Sequence, residues 1–311
     1  MQQIGNNTNS SPCVATIGTF DGVHQGHRFV IKQVVSQARE SGLDALVVTF
    51  PNHPLQVLRQ DFAPQFLTLA DEKLQMLRAT GVDRVEMLEF TPQLAQMSAH
   101  DFMQKILKER FRVDILVIGY DNHFGHGKST FQDYVNYGKE LGIRVFCCQQ
   151  CDADRDISST AIRQALRQGD VTIAHHLLNY PYFLQGTVVK GFQNGRKLGY
   201  PTANIEVHPY KLIPSNGVYL VKATAPPSTF PYLPIPLYGM LNIGTRPTLH
   251  NGAQRSIEVH LFDFDGDLYG ISLRVELLHR LRGEKEFHSL DDLKIQLQQD
   301  EQACRHLIPP P

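Results

Sequence analysis

The stretch from Cys13 to Arg28, C-V-A-T-I-G-T-F-D-G-V-H-Q-G-H-R, decides the fold of the first half of this 311-residue chain. Val14 to Phe20 is apolar and β-prone, which predicts a buried strand. The strand runs into a tight turn at Asp21-Gly22. His24-Gln25-Gly26-His27 then precedes a helix whose apolar positions are Phe29, Val30, Val34 and Val35. A strand, a glycine turn and a helix start make a pocket for an anion, because the first helical N–H groups lack intrahelical acceptors. Gly26 lets backbone come close to a ligand, and two imidazoles flank that point. The shape points to phosphate chemistry.

Working outward, apolar runs alternate with amphipathic segments as far as about residue 150. The strands are read at Val14–Phe20, Ala45–Phe50, Arg84–Leu88, Ile115–Gly119 and Arg144–Cys148, with helices near 27–41, 70–80, 98–111 and 130–141. Ser98 and Asp101 form a capping pair for the third of these helices. Such alternation predicts a Rossmann-like parallel sheet with helices on both faces. Ligands in such folds bind beyond the carboxyl ends of the strands, where His24, His27 and the segment Gly119–Gly125 fall. Helices at Ser158–Arg167 and Asp170–Leu178 follow.

The texture changes at Pro181–Gly186. Short strand runs at Gly186–Val189, Asn204–Val207, Gly217–Ala225, Leu237–Ile243, Ser256–Leu261 and Ser272–Leu278 predict an antiparallel barrel or sandwich, closed by a helix at Leu290–Ala303. Pro226, Pro227, Pro231, Pro234 and Pro236 are read as one extended loop between two strands. The expected organisation is a tail at 1–13, an α/β domain at 14–182 and a β domain at 183–306.

Composition narrows the function classes. Apolar residues make up 42% and charged residues 20%, with a net charge of −1, so no bulk electrostatic attraction to nucleic acid or an anionic membrane is expected. No apolar run reaches the length of a bilayer span, and the polar start Gln2–Ser11 reads as a tail rather than a signal or transit peptide. A cytoplasmic protein is the expectation. Cys147, Cys148 and Cys151 form C-C-x-x-C without a second ligand pair, so reduced structural thiols are expected rather than zinc. Gly125–Thr130 looks like the end of a Walker A loop, but Asn122 stands where that loop needs its first glycine.

His24-x-x-His27 is weak by itself. Joined to Thr19–Val23 before it and to Ile157–Arg163, I-S-S-T-A-I-R, it becomes G-T-F-D-G-x-H-x-G-H with a later S-S-T-x-I-R. That pair of motifs resembles the nucleotidyltransferases of the cytidylyltransferase-like superfamily. The resemblance implies that His24 and His27 stabilise the α-phosphate of ATP while it is attacked. The residue chemistry agrees, because an anionic phosphate attacks without a general base and needs only cationic or N–H stabilisation of the developing charge. Ser159, Thr160 and Arg163, at another helix start, would hold the phosphates that leave as pyrophosphate.

In the second half, Gly191–Asn204 reads G-F-Q-N-G-R-K-L-G-Y-P-T-A-N. This reads either as a long, basic turn between two strands or as a glycine-rich phosphate loop followed by oxygen ligands for Mg²⁺, with Thr202 and Asn204 on one side of a strand by the period-two rule. Glu258 lies inside the apolar run S-I-E-V-H-L, where a lone carboxylate is costly without a partner or a task. General base toward an alcohol is a natural task. G-R-K-L-G-Y-P-T-A-N, G-V-Y, N-I-G-T-R-P-T, I-E-V-H-L-F-D-F and D-L-Y-G together look like a riboflavin kinase domain.

With the first half ahead of it, the chain resembles the bacterial bifunctional riboflavin kinase/FMN adenylyltransferase family from about residue 14 to 305. The resemblance implies ATP-dependent phosphorylation of riboflavin to FMN, then adenylylation of FMN to FAD. Glu258 would be the kinase base, and Thr202 and Asn204 would hold Mg²⁺. Gly191, Gly195, Lys197, Gly199 and Thr202 would bind ATP there. Gly18, Phe20, Gly26 and Asp121 would join Ser159, Thr160 and Arg163 around the ATP of the adenylyltransferase. His53, Pro54, Arg282 and Phe287 would lie on the flavin side. Small molecules (riboflavin, FMN, FAD and ATP) are the implied partners, with neither nucleic acid nor membrane among them.

Overall fold

The computed structural model describes residues 11–52, 54–58, 63–119, 123–148, 157–191, 195, 198–225, 237–247 and 253–308. The chain divides into two compact units, Met1–Ser159 and Thr160–Pro311.

The first unit holds β1 (Cys13–Ile17), β2 (Asp44–Thr49), β3 (Arg84–Met87), β4 (Val113–Gly119) and β5 (Arg144–Cys148). They form one parallel sheet in the order β3-β2-β1-β4-β5. Around it run α1 (Gln25–Ser41), α2 (Pro54–Leu58), α3 (Ala70–Arg78), α4 (Pro92–Ala95), α5 (Ala99–Asp101) and α6 (Phe131–Leu141). β1 is central and buried along its whole length. Its side chains alternate: Cys13, Ala15 and Ile17 pack with Phe102, Met103 and Leu107, while Val14 packs with Val34 and Ala38 of α1. A strand buried on both faces is apolar throughout, which made it readable from sequence.

Three local readings are corrected or sharpened. β1 ends at Ile17, not Phe20, because Phe20 takes a left-handed φ of 48° that no strand accommodates. α1 begins at Gln25, two residues before the expected start, because the His24 side chain caps it. Ser98 caps α5 as expected, its Oγ accepting from the Asp101 N–H at 3.0 Å. Beyond Asp101 the helix widens into a π-helix over Phe102–Arg110, ending with the Phe111 N–H bonded to the Ile106 carbonyl.

The second unit contains α7 (Ser159–Gln168, which starts on the last residue of the first unit), α8 (Val171–Leu178) and a closed antiparallel barrel. Its strands are β6 (Phe183–Val189), β7 (Ala203–Val207), β8 (Gly217–Thr224), β9 (Leu237–Pro247), β10 (Ala253–Leu261) and β11 (Ser272–Arg282). Their order is β10-β7-β6-β11-β8-β9, so the second domain is a barrel and not a sandwich. α8 packs on β11, and the Arg280 guanidinium donates to the Gln168 carbonyl at 3.1 Å. The C-terminal helix, Leu290–Leu307, lays Cys304 and Leu297 on Val218, Leu220 and Met240. The five prolines at 226–236 lie outside the described residues.

Among the cysteines, Cys147 is exposed and Cys148 is buried, and burial pushes the Cys148 thiol up. Cys13 and Cys304 are also buried free thiols, raised by burial to about 11 and about 12. Cys151 lies outside the described residues.

Candidate active sites

The first site is assembled where β1 runs out. Gly18 carries the Phe20 ring against it: a Cβ there would stand 3.2 Å from the ring. The chain turns through Asp21 and Gly22 to His24, the N-cap of α1. The His24 Nδ1 accepts from the His27 N–H at 3.4 Å, and the two imidazoles stack with centroids 3.5 Å apart. Phe20 meets His27 edge to face at 5.2 Å. Because Nδ1 of His24 is an acceptor, the hydrogen-bond network assigns its ring proton to Nε2. His27 Nδ1 is a buried polar atom without a hydrogen-bond partner. Burial first, then His24 and Lys73, hold the His27 pKa well below the usual imidazole value. Before a ligand arrives, His27 is thus a neutral N–H donor rather than a cation.

Gly26 leaves space at this point, since a Cβ would stand 3.4 Å from the His24 ring and 3.9 Å from the Ile157 carbonyl. Ser159 is tied in as well, its Oγ donating to the Asp21 carbonyl at 2.9 Å. Thr160 and Arg163 follow on α7. Asp121 and His53 lie outside the described residues, and Pro54 opens α2.

A cavity of about 200 Å³ opens beside Gly18 and Thr19, walled by Phe50, Phe90, Phe102 and Phe124. Phe50 and Phe90 meet edge to face at 5.5 Å, and Phe124 stacks on Tyr134 at 4.5 Å. Asn52 fixes one wall by exchanging two hydrogen bonds with the Phe90 backbone, at 2.9 and 3.0 Å. The sequence reading did not gather these aromatics, because they come from separate loops and one helix. Their only signal was an aromatic residue near the carboxyl end of successive strands.

The second site lies on the barrel. In β10, Ile257, Val259 and Leu261 are buried, so Glu258 and His260 occupy the opposite face. Strand pairing sets Asn204 of β7 on one side of Glu258 and Asn242 of β9 on the other. Residues directly opposite across a ladder share a face, so the carboxylate stands between two carboxamides. The Thr202 Oγ1 donates to the Glu258 Oε2 at 3.3 Å. Thr202 just precedes β7, and the two expected oxygen ligands, Thr202 and Asn204, do come together around Glu258.

The glycine loop fits on this group through missing side chains. A Cβ on Gly191 would fall 2.1 Å from the Asn204 Nδ2, and one on Gly195 would fall 2.2 Å from the Tyr200 carbonyl. Gly199 takes a φ of 84°. Lys197 lies outside the described residues. Tyr200 ends the loop with its hydroxyl on Glu301 at 3.1 Å, and His260 Nδ1 lies 2.8 Å from the Pro201 carbonyl. A cavity of about 720 Å³ runs past Thr202, lined also by Val259, Leu261, Asp265, Asp267 and Tyr269. Asn242, Asp265 and Asp267 were not assigned from sequence, although N-I-G-T-R-P-T and D-L-Y-G carried two of them.

Arg282 is the last residue of β11, and Phe287 lies between it and the C-terminal helix. The Arg282 guanidinium grips Asp300 with two nitrogens at 2.7 and 3.0 Å and has the Phe287 ring centroid 5.9 Å away. Asp300, on the C-terminal helix, is only 4% exposed and is a partner that the sequence reading missed. Glu284 of the same segment accepts from Asn216 and from the Thr245 N–H at 2.7 and 3.2 Å. Among the described residues no group of three or more His, Cys, Asp or Glu could hold a metal, so the candidate cation donors are hydroxyl and carboxamide oxygens beside one carboxylate.

A stacked histidine pair at a helix start beyond a parallel sheet, followed by a barrel carrying a carboxylate under a glycine loop, defines a two-domain phosphate-transfer enzyme class. A family profile described as FAD synthetase matches residues 6–161, and one described as riboflavin kinase matches residues 178–308. A bifunctional riboflavin kinase/FMN adenylyltransferase of Escherichia coli K12 is 38% identical over 298 residues, covering 95% of this chain and 93% of the relative. One from Bacillus subtilis is 34% identical over 298 residues, covering 94% and 91%. A solved Streptococcus pneumoniae structure, described as a macrolide-efflux protein, superposes with a TM-score of 0.86 at 32% identity over 98% of both chains. Among the described residues of the present chain, no helix is long and apolar enough to cross a membrane. The chain belongs to the bifunctional riboflavin kinase/FMN adenylyltransferase family.

Proposed function

We propose that this chain converts riboflavin to FMN on its barrel and FMN to FAD at its H-x-G-H site, with ATP as co-substrate of both steps. The reading divides the labour between residues 183–306 and 14–182, in a cytoplasmic setting. The observation that carries it is that one chain holds both a carboxylate set among Thr202, Asn204 and a glycine loop, and a stacked His24–His27 pair at a helix start.

In the kinase step, Glu258 takes the proton of the riboflavin 5′-hydroxyl as that oxygen attacks the γ-phosphorus, and ADP leaves. Gly191 and Gly195 let backbone close over the phosphates. Thr202 and Asn204 present oxygen donors of the kind Mg²⁺ takes, so the donor set fits this ion. When bound, Mg²⁺ would neutralise phosphate charge. Arg282 and Phe287 stand on the flavin side of this site.

In the adenylyltransferase step, an oxygen of the FMN phosphate attacks the α-phosphorus of ATP and pyrophosphate leaves. No proton has to be removed, so His24 and His27 act as N–H donors to the charge that builds on the α-phosphate. Ser159, Thr160 and Arg163 would hold the departing pyrophosphate, with Asp121 beside the nucleotide. The phenylalanine-walled cavity at Gly18 is a slot suited to a flat aromatic ring, and His53 and Pro54 would contribute to flavin binding.

The test is to incubate the full chain with riboflavin, ATP and Mg²⁺ and separate the flavins. Both FMN and FAD are expected. FMN without FAD would reject the adenylyltransferase, and neither product would reject both activities in favour of a flavin- or nucleotide-binding protein.

A further inference from the structure

The turn that carries the histidine pair is held in a costly shape. Phe20 and Val23 have φ values of 48° and 37°, although neither is glycine. Such backbone is strained and persists only where the surroundings over-determine it. Much of that support comes from one neighbouring segment, Leu67–Lys73, beside the Ser159 Oγ on the Asp21 carbonyl and the Arg28 Nε on the Val23 carbonyl. The Asp21 carboxylate accepts from the N–H groups of Leu67 and Thr68 at 3.1 and 2.9 Å. The Gly22 N–H donates to the Thr68 Oγ1 at 2.9 Å.

Lys73 completes the clasp from α3. Its Nζ donates to the Thr19 carbonyl at 2.9 Å and to the Phe50 carbonyl at 2.6 Å, where the chain leaves β1 and β2. Thr49 Oγ1 also reaches the Thr19 carbonyl, at 3.1 Å. Lys73 is only 3% exposed, a costly position for an ammonium group. Burial pushes its pKa down to about 8, and Asp21 opposes that shift. A methionine would fill the space without the desolvation cost but would withdraw the donor from the Thr19 and Phe50 carbonyls.

Resting on the reading of residues 24–27 as the α-phosphate site, we propose that Lys73 is a positioning residue for adenylyl transfer. It fixes the Thr19 and Phe50 carbonyls, and through them the Phe20 ring that abuts His27. Its charge acts on His27 together with His24, the charged or titratable groups that bear on that imidazole among the described residues. In sequence, Lys73 is an ordinary cation in a helical pattern, and only the fold brings it under the turn.

The experiment compares Lys73→Met, Lys73→Arg and Lys73→Gln with His27→Ala in the full chain, assaying FAD formation from supplied FMN and FMN formation from riboflavin. Lys73→Met is expected to lower kcat for FAD formation by about 10–100-fold, the scale of a small misplacement of catalytic groups, while FMN formation stays within about twofold. The acid limb of kcat/KM for FAD formation should move to higher pH, because His27 loses a like-charged neighbour; a merely structural role would not move it. Lys73→Arg, which keeps the charge and two donors, should recover part of the rate. Unchanged FAD kinetics in Lys73→Met would overturn the proposal. If that variant does not fold, Lys73→Gln performing as well as Lys73→Arg overturns it instead. Normal FAD formation by His27→Ala would overturn the site reading itself, whereas loss there with a normal Lys73→Met would overturn only the role of Lys73.

Discussion

Replacing Glu258 by glutamine separates chemistry from architecture. The carboxylate stands between Asn204 and Asn242 and accepts from the Thr202 hydroxyl at 3.3 Å. Glutamine has the same length and its carbonyl oxygen still accepts that bond, while buried Ile257 and Val259 keep the strand in register. Folding stability should therefore change by less than about 1 kcal/mol. What disappears is the proton acceptor. General-base catalysis contributes about 10²–10⁴-fold, which at about 1.36 kcal/mol per tenfold is roughly 2.7–5.4 kcal/mol of barrier. FMN formation from riboflavin should fall by that factor, read by separating the flavin products of timed reactions. FAD formation from supplied FMN should persist in the same preparation. An Glu258→Gln rate within about tenfold of the parent would refute the assignment of the base. Equal loss of both activities would show damage to the fold instead.

His27→Ala should do the reverse, abolishing most FAD formation in the same assay while riboflavin phosphorylation continues. The buried, neutral state of His27 also has a consequence for stability. Its folded pKa lies below the unfolded value of about 6.5, so the unfolded chain takes the proton first as pH falls, and stability declines below about pH 6.5. Urea denaturation between pH 7 and pH 5 should show a shallower decline in His27→Ala than in the parent chain. Gly191→Ala would set a Cβ 2.1 Å from the Asn204 carboxamide, an overpacking worth about 1–3 kcal/mol if Asn204 cannot move. It should weaken the kinase, with a raised KM for ATP, and leave FAD formation from FMN intact.

Much of this protein was legible before folding. Arg144–Cys148 is a strand with the bounds read from sequence, and Ser98 caps its helix, because a short β-prone run and a capping pair are local signals. The turn after β1 was less legible. A continuous apolar run gives no warning that Phe20 leaves the strand, because its left-handed backbone is held by Thr68 and Lys73, some fifty residues away. The same limit hid Asp300, whose partner Arg282 lies on a different element.

Both motif sets were legible in the chain: H-x-G-H with S-S-T-x-I-R, and the glycine loop with P-T-A-N and Glu258, resemble those of a nucleotidyltransferase and a riboflavin kinase, and that resemblance implied the two chemistries. Only the tertiary structure decided how those groups are made ready. It closed the second domain into a barrel, so that ladder pairing set Glu258 between Asn204 and Asn242. It stacked His24 on His27 and buried the His27 Nδ1, which holds the His27 pKa down and leaves N–H donation, one of the two kinds of stabilisation expected from the sequence. Burial and cross-strand register are properties of packed surfaces, and a one-dimensional pattern carries them only after distant segments have met.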